Sequence, residues 1–171
     1  MSFSNISLFP NKSAISSKGN LSIGECDVGD LVTEYGTPLY VIDEFTLREK
    51  CREFVNTFRE FHTNSSVVYA SKAFINLSLA KLLNEEGLGL DVVSGGELAV
   101  AQKAEFPANK IYFHGNNKSV AELEQSLDYG IHRVVIDNFH EIDLLDDMAC
   151  RRNIVQDVLL RVSPGIDPHT H

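Results

Sequence analysis

Short apolar runs alternate with segments of helical period along most of this chain, and that alternation constrains the fold more than any other feature. Leu39-Tyr-Val-Ile42, Val67-Val-Tyr-Ala70, Leu88 to Val93, Lys110-Ile-Tyr-Phe113, Arg133-Val-Val-Ile136 and Asp157 to Val162 each read as a strand. They are too short for helices, rich in β-branched residues and bounded by turn residues. Their near-continuous apolar character is that of strands covered on both faces. Helix signals lie between them. Leu47, Cys51, Phe54, Val55, Phe58 and Phe61 fall on one face at three- and four-residue spacing. Leu79, Leu82 and Leu83 do the same before Gly87, which reads as a helix stop, and Gly96 to Ala104 forms a short helix. Ser119 with Glu122 forms a capping box, with Val120, Leu123 and Leu127 inward. Asn138 with Glu141 opens another helix, with Ile142, Leu145 and Ala149 inward.

Repeated βα units imply an α/β fold with a parallel sheet and right-handed crossovers. Two architectures fit. An open doubly wound sheet accommodates the six strands as counted, whereas a (β/α)8 TIM barrel needs two further units. No GxGxxG follows the first strand, so the dinucleotide-binding form of the open sheet lacks support. In both architectures ligands bind beyond the C-terminal ends of the strands. The polar residues there are Ser71 and Lys72, Asp91 and Ser94, His114 and Asn116, Asp137, then Arg161 and Ser163.

Charge narrows the partners. With 24 acidic against 15 basic side chains the net charge is -9, and no basic stripe exists to neutralise nucleic-acid phosphates. A small anionic cofactor can still be held by backbone amides and one or two cations. The three cysteines, Cys26, Cys51 and Cys150, are widely separated and lack CxxC spacing, so no disulfide framework or zinc site is expected and a reducing cytoplasm is the default. The first twenty residues are polar, without the apolar core of a signal peptide. No apolar run approaches the roughly eighteen residues a membrane span requires.

Lys72 ends an apolar strand. A lysine facing a barrel mouth is expected to be partly desolvated, which favours the neutral amine suited to Schiff-base formation; the competing reading is a lysine reaching to solvent. Gly95-Gly96 leads into a helix and reads either as a phosphate approach or as an ordinary tight turn. His114 opens the polar segment His114-Gly-Asn-Asn-Lys118, where a lone histidine is more often a hydrogen-bonded structural group than a catalyst. Arg161 lies among apolar residues; a buried arginine needs an anionic partner, Asp91 or Asp137 or a ligand. His169-Thr-His171 suggests a metal pair, but no third ligand with suitable spacing exists, so no metal site is expected.

Several segments together resemble the pyridoxal-phosphate-dependent decarboxylases of the alanine-racemase-like barrel fold (fold type III). They are Glu34-Tyr-Gly-Thr-Pro-Leu-Tyr-Val-Ile-Asp43, Tyr69-Ala-Ser-Lys-Ala73, Gly89-Leu-Asp-Val-Val-Ser-Gly-Gly-Glu-Leu98, Phe113-His-Gly-Asn-Asn-Lys-Ser119 and Arg161-Val-Ser-Pro-Gly-Ile-Asp-Pro-His-Thr-His171. They recur in the family's order over about residues 21–171. The Gly-Asn-Asn-Lys and His-Thr-His segments favour its diaminopimelate branch, which decarboxylates meso-2,6-diaminopimelate to L-lysine and carbon dioxide. Ornithine, arginine or carboxynorspermidine decarboxylases, and a non-catalytic pyridoxal-phosphate-binding relative, are the alternatives.

The resemblance implies that Lys72 holds pyridoxal 5'-phosphate and later returns a proton. It implies that Asp91 and Arg161 lie near the cofactor, and that His114 and Asn116 line the mouth. It further implies a partial (β/α)8 barrel of about six βα units over residues 36–171. The N-terminal segment 1–35 would pack with a C-terminal β domain missing from this sequence. The remaining expectations are a small amino-acid substrate, a homodimer for the full-length enzyme, a cytoplasmic location, and an inactive 171-residue chain when alone.

Overall fold

A computed structural model describes residues 6–17 and 19–166. The chain divides into two compact units, residues 1–61 and 62–171.

The first unit holds a small antiparallel sheet that the apolar pattern did not announce, because its strands are only two or three residues long. The strands are β1 (Ala14–Ile15), β2 (Leu21–Ile23) and β3 (Cys26–Asp27), in the order β1-β2-β3. Helix α1 (Val28–Tyr35) starts where the Asp27 carboxylate accepts from the Gly29 amide. Helix α2 (Glu44–Phe61) starts at Asp43, which accepts from the Thr46 amide at 2.7 Å. Two expectations fail here. Leu39–Ile42 forms no strand. Its composition is strand-like, but a strand exists only through a paired neighbour, and this run joins no ladder. Of the apolar face of α2, Cys51 and Val55 are buried while Phe54, Phe58 and Phe61 stay exposed. Periodicity aligns side chains but does not say what covers them.

The second unit is a five-stranded parallel sheet. The strands β4 (Val68–Ala70), β5 (Gly89–Val92), β6 (Ile111–Phe113), β7 (Arg133–Ile136) and β8 (Val158–Leu160) are ordered as in sequence. Helices α3 (Leu77–Glu85), α4 (Gly95–Lys103), α5 (Val120–Tyr129) and α6 (Phe139–Arg152) make the crossovers. Five strands in unbroken sequential order are the signature of barrel winding, because a doubly wound sheet reverses its order at a switch point.

The register places Leu90 beside Ile111, and Val92 beside Phe113, on one face. All four are fully buried, as are Leu83, Leu98 and Leu123 of the helices. The inward sets Leu79, Leu82 and Leu83, Leu123 and Leu127, and Leu145 and Ala149 are found as expected; Val120 and Ile142, at the margins of their stripes, are exposed. All of β8 is exposed as well, so the expectation of strands covered on both faces holds for the interior of the sheet and not for this edge. Gly89 is forced by close approach: a Cβ there would sit 2.7 Å from the Lys110 carbonyl oxygen.

Candidate active site

The parallel ladders run one residue past the strands and so fix the candidate side chains. The Ser71 amide donates to Asp91 O at 2.9 Å, His114 N–H to Val92 O at 2.8 Å, and Arg161 N–H to Ile136 O at 3.0 Å. The turn carrying Lys72 is closed from below, where the Tyr69 hydroxyl donates to the Phe74 carbonyl at 2.9 Å. These strand ends surround one open cavity of about 360 Å³, lined by Lys72, Asp91, Val93, His114, Gly115, Asn116 and Arg161. All four candidate cofactor residues from the sequence line it.

Their environments differ from expectation in three ways. Lys72 is exposed, so the expected desolvation of its amine is not seen; β4, which it follows, is an edge of the sheet. Its amine makes no hydrogen bond or ion pair among the described residues. Arg161 is not buried either: its side chain is 58% exposed, because β8 is the opposite edge, and its Nη1 donates to Asp137 Oδ1 at 2.8 Å. Asp91 is instead paired with His114 Nδ1. A carboxylate only accepts, so Nδ1 carries the hydrogen and Nε2 is left as the free ring nitrogen.

The third difference concerns anions. Gly95 does not present its amide to a phosphate: the N–H donates to Glu122 Oε1 at 2.7 Å. The same Glu122 accepts through Oε2 from the Ser119 amide at 2.9 Å and hydroxyl at 2.8 Å. These bonds, led by that from the Ser119 backbone, hold the Glu122 carboxyl below its ordinary value, with the Lys118 charge assisting and burial opposing. The arrangement recurs. Glu97, three residues after the Ser94 cap, accepts from the Val93 amide at 2.9 Å. Glu141, three residues after the Asn138 cap, accepts from the Asp137 amide at 2.8 Å. Around three successive helix starts a glutamate takes nearby amides: Val93 before α4, Gly95 and Ser119 at the starts of α4 and α5, and Asp137 before α6.

Sequence reasoning missed Lys118 and the function of Glu141. Lys118 Nζ lies 2.6 Å from Glu141 Oε1 in a buried ion pair. The available signal was a repeated [Ser/Asn]-x-x-Glu at residues 94, 119 and 138, of which only the last two were read. His169 and His171 lie outside the described residues. Among the described residues no cluster of three or more metal-ligating side chains occurs, and no helix is long and apolar enough to cross a membrane. Cys26, Cys51 and Cys150 form no disulfide.

A lysine amine without a partner among the described residues, at the end of one strand and with an Asp–His pair and an arginine lining the same cavity, is an arrangement suited to capturing an aldehyde. Residues 45–171 match the family described as pyridoxal-dependent decarboxylase, pyridoxal binding domain, and the chain belongs to that family. Its parallel unit is therefore part of a (β/α)8 barrel. Within the family it is similar to the diaminopimelate decarboxylase of Bacillus methanolicus, with 52% identity over 163 residues covering 95% of this chain and 38% of that protein. The corresponding Bacillus subtilis enzyme is 49% identical over 153 residues, covering 90% of this chain and 35% of the relative. The crystal structure of diaminopimelate decarboxylase from M. jannaschii superposes with a TM-score of 0.84 at 32% identity, covering 96% of this chain and 38% of that one. The chain thus spans well under half the length of the relatives it matches.

Proposed function

We propose that this chain carries the lysine-bearing part of a pyridoxal 5'-phosphate site in a decarboxylase of meso-2,6-diaminopimelate, yielding L-lysine and carbon dioxide. The observation that carries the reading is the convergence of Lys72, Asp91, His114 and Arg161 on one cavity at the C-terminal ends of β4, β5, β6 and β8. The substrate assignment draws on the similarity to diaminopimelate decarboxylases, one of which, from M. jannaschii, has been crystallised in complex with L-lysine.

The residues fit the cofactor in part. The free amine of Lys72 can take its aldehyde, and Asp91, His114 and Arg161 can orient its surroundings. The Gly95 amide is taken by Glu122 and so is not offered to the phosphate. When bound, the cofactor supplies an electron sink for the pair left by departing carbon dioxide. Lys72 would hold the cofactor through its amine and would supply the proton that replaces the lost carboxylate. Asp91 fixes the His114 ring through Nδ1, leaving Nε2 available to accept a proton. Asp137 aims Arg161, whose permanent charge suits an anionic group of cofactor or substrate. Work in the cytoplasm and as a homodimer completes the reading; three cysteines without a disulfide fit a reducing compartment.

The test is borohydride reduction of the full-length protein loaded with pyridoxal phosphate, peptide mapping of the label, and carbon dioxide release from meso-diaminopimelate, ornithine and arginine. A label on Lys72 that Lys72→Ala abolishes, with release from meso-diaminopimelate, is expected. Absence of label at Lys72 sinks the cofactor assignment. Label without release makes the protein a cofactor carrier, and preferential release from ornithine or arginine reassigns the substrate.

A further inference from the structure

Lys118 has no part in the chemistry above, yet its side chain is only 1% exposed. Its ammonium meets three acceptors on three elements: Gly115 O at 2.7 Å in the loop after β6, Val135 O at 2.8 Å in β7, and Glu141 Oε1 at 2.6 Å in the first turn of α6. Glu141 is itself only 6% exposed. An ammonium has three hydrogens to donate, and all three are matched, which is the condition for tolerating a buried charge. A well-packed apolar pair often stabilises a protein as much as a buried ion pair does. What the ion pair adds is a fixed geometry, and here the geometry leads toward the cavity by two routes. Gly115, held through its carbonyl, follows His114, whose ring is bound to Asp91. Glu141 accepts the Asp137 amide through its second oxygen, and Asp137 holds Arg161.

We propose that the Lys118–Glu141 pair is the positioning centre of the site, setting the His114–Asp91 arm against the Asp137–Arg161 arm. The inference rests on reading the cavity as the cofactor site. Neither residue lines the cavity, so both are positioning residues and not catalytic ones.

The test uses the full-length protein. Lys118→Met alone strands a buried carboxylate and is expected to fold poorly. The informative variant combines Lys118→Met with Glu141→Gln. It removes both charges, keeps an acceptor for the Asp137 amide, and withdraws the bonds to the Gly115 and Val135 carbonyls. Its cofactor-free melting temperature is expected near that of the parent. The nitrogen spectra of His114 should change from one Nδ1-protonated tautomer to an average of two, and the pyridoxal phosphate dissociation constant should rise about tenfold, as loss of one or two hydrogen bonds implies. Unchanged His114 spectra, or unchanged cofactor affinity, overturns the proposal even if the melting temperature falls. Glu141→Asp, which keeps the charges but shortens the arm, serves if the double variant does not fold. The same His114 change is then expected, and its absence counts against the proposal. Should borohydride fail to label Lys72 in the parent, the cofactor reading falls, while the His114 spectra still decide the positioning claim.

Discussion

Glu122→Gln should destabilise the protein at neutral pH and matter progressively less in acid. The wild-type carboxylate accepts three hydrogens, from the Ser119 amide, the Ser119 hydroxyl and the Gly95 amide, at 2.7 to 2.9 Å. Glutamine has one acceptor oxygen. Turned toward Gly95, it presents its NH2 to the Ser119 amide, donor against donor; turned the other way, it abandons Gly95. One backbone N–H is left without its bond and a charge-assisted contact is lost. A capping interaction contributes about 0.5–2 kcal/mol, and a hydrogen bond to a charged group somewhat more. Glu122 is partly exposed, so solvent screening holds the sum to about 1–2 kcal/mol.

The pH dependence has a definite sign. The Glu122 pKa is lowered in the folded state, so its contribution is complete above the unfolded glutamate value, about 4.3. It is lost as pH falls through the lower folded value. Urea unfolding of parent and Glu122→Gln proteins over a pH series measures the gap directly. It should be widest at neutral pH and narrow below about pH 4. A gap that is constant across the series, or missing at neutral pH, refutes the argument that the ionised carboxylate holds these two helix starts.

Gly89→Ala should cost about 1–3 kcal/mol, because the new methyl meets the Lys110 carbonyl at 2.7 Å and backbone must move; a thermal melt matching the parent would show that the spacing of β5 and β6 is softer than described. Asp91→Asn retains the shape but not the charge beside His114. The imidazole should lose its single tautomer in nitrogen NMR spectra, and a persistent Nδ1–H signal would mean that Asp91 does not set it.

The fold was legible where the strands are interior. Leu90, Val92, Ile111 and Phe113 are apolar because the sheet and its helices enclose them, and enclosure leaves a pattern in the sequence. It was illegible at the edges. Leu39–Ile42 carries the same composition without a partner, and Phe54, Phe58 and Phe61 share a helix face that the described residues leave in water. The site divides the same way. Strand-end position brought Lys72, Asp91, His114 and Arg161 to one mouth, because a parallel sheet sends every strand end to the same side. The pairings did not follow. Asp91 was a candidate partner for Arg161 and binds His114 instead, since partner choice depends on which neighbouring strand end lies closest. Lys118 read as one more polar residue of a loop, because burial of a charge is decided by elements that follow it in the chain.

The glutamates at the starts of α4, α5 and α6 carry a consequence for ligand selection. Each is a tethered competitor: an anion seeking those amides must displace a carboxylate that is already attached and so present at a high effective concentration. The Val93, Gly95, Ser119 and Asp137 amides are thus engaged before any ligand arrives. An anion entering the cavity meets the permanent charge of Arg161 on its lining.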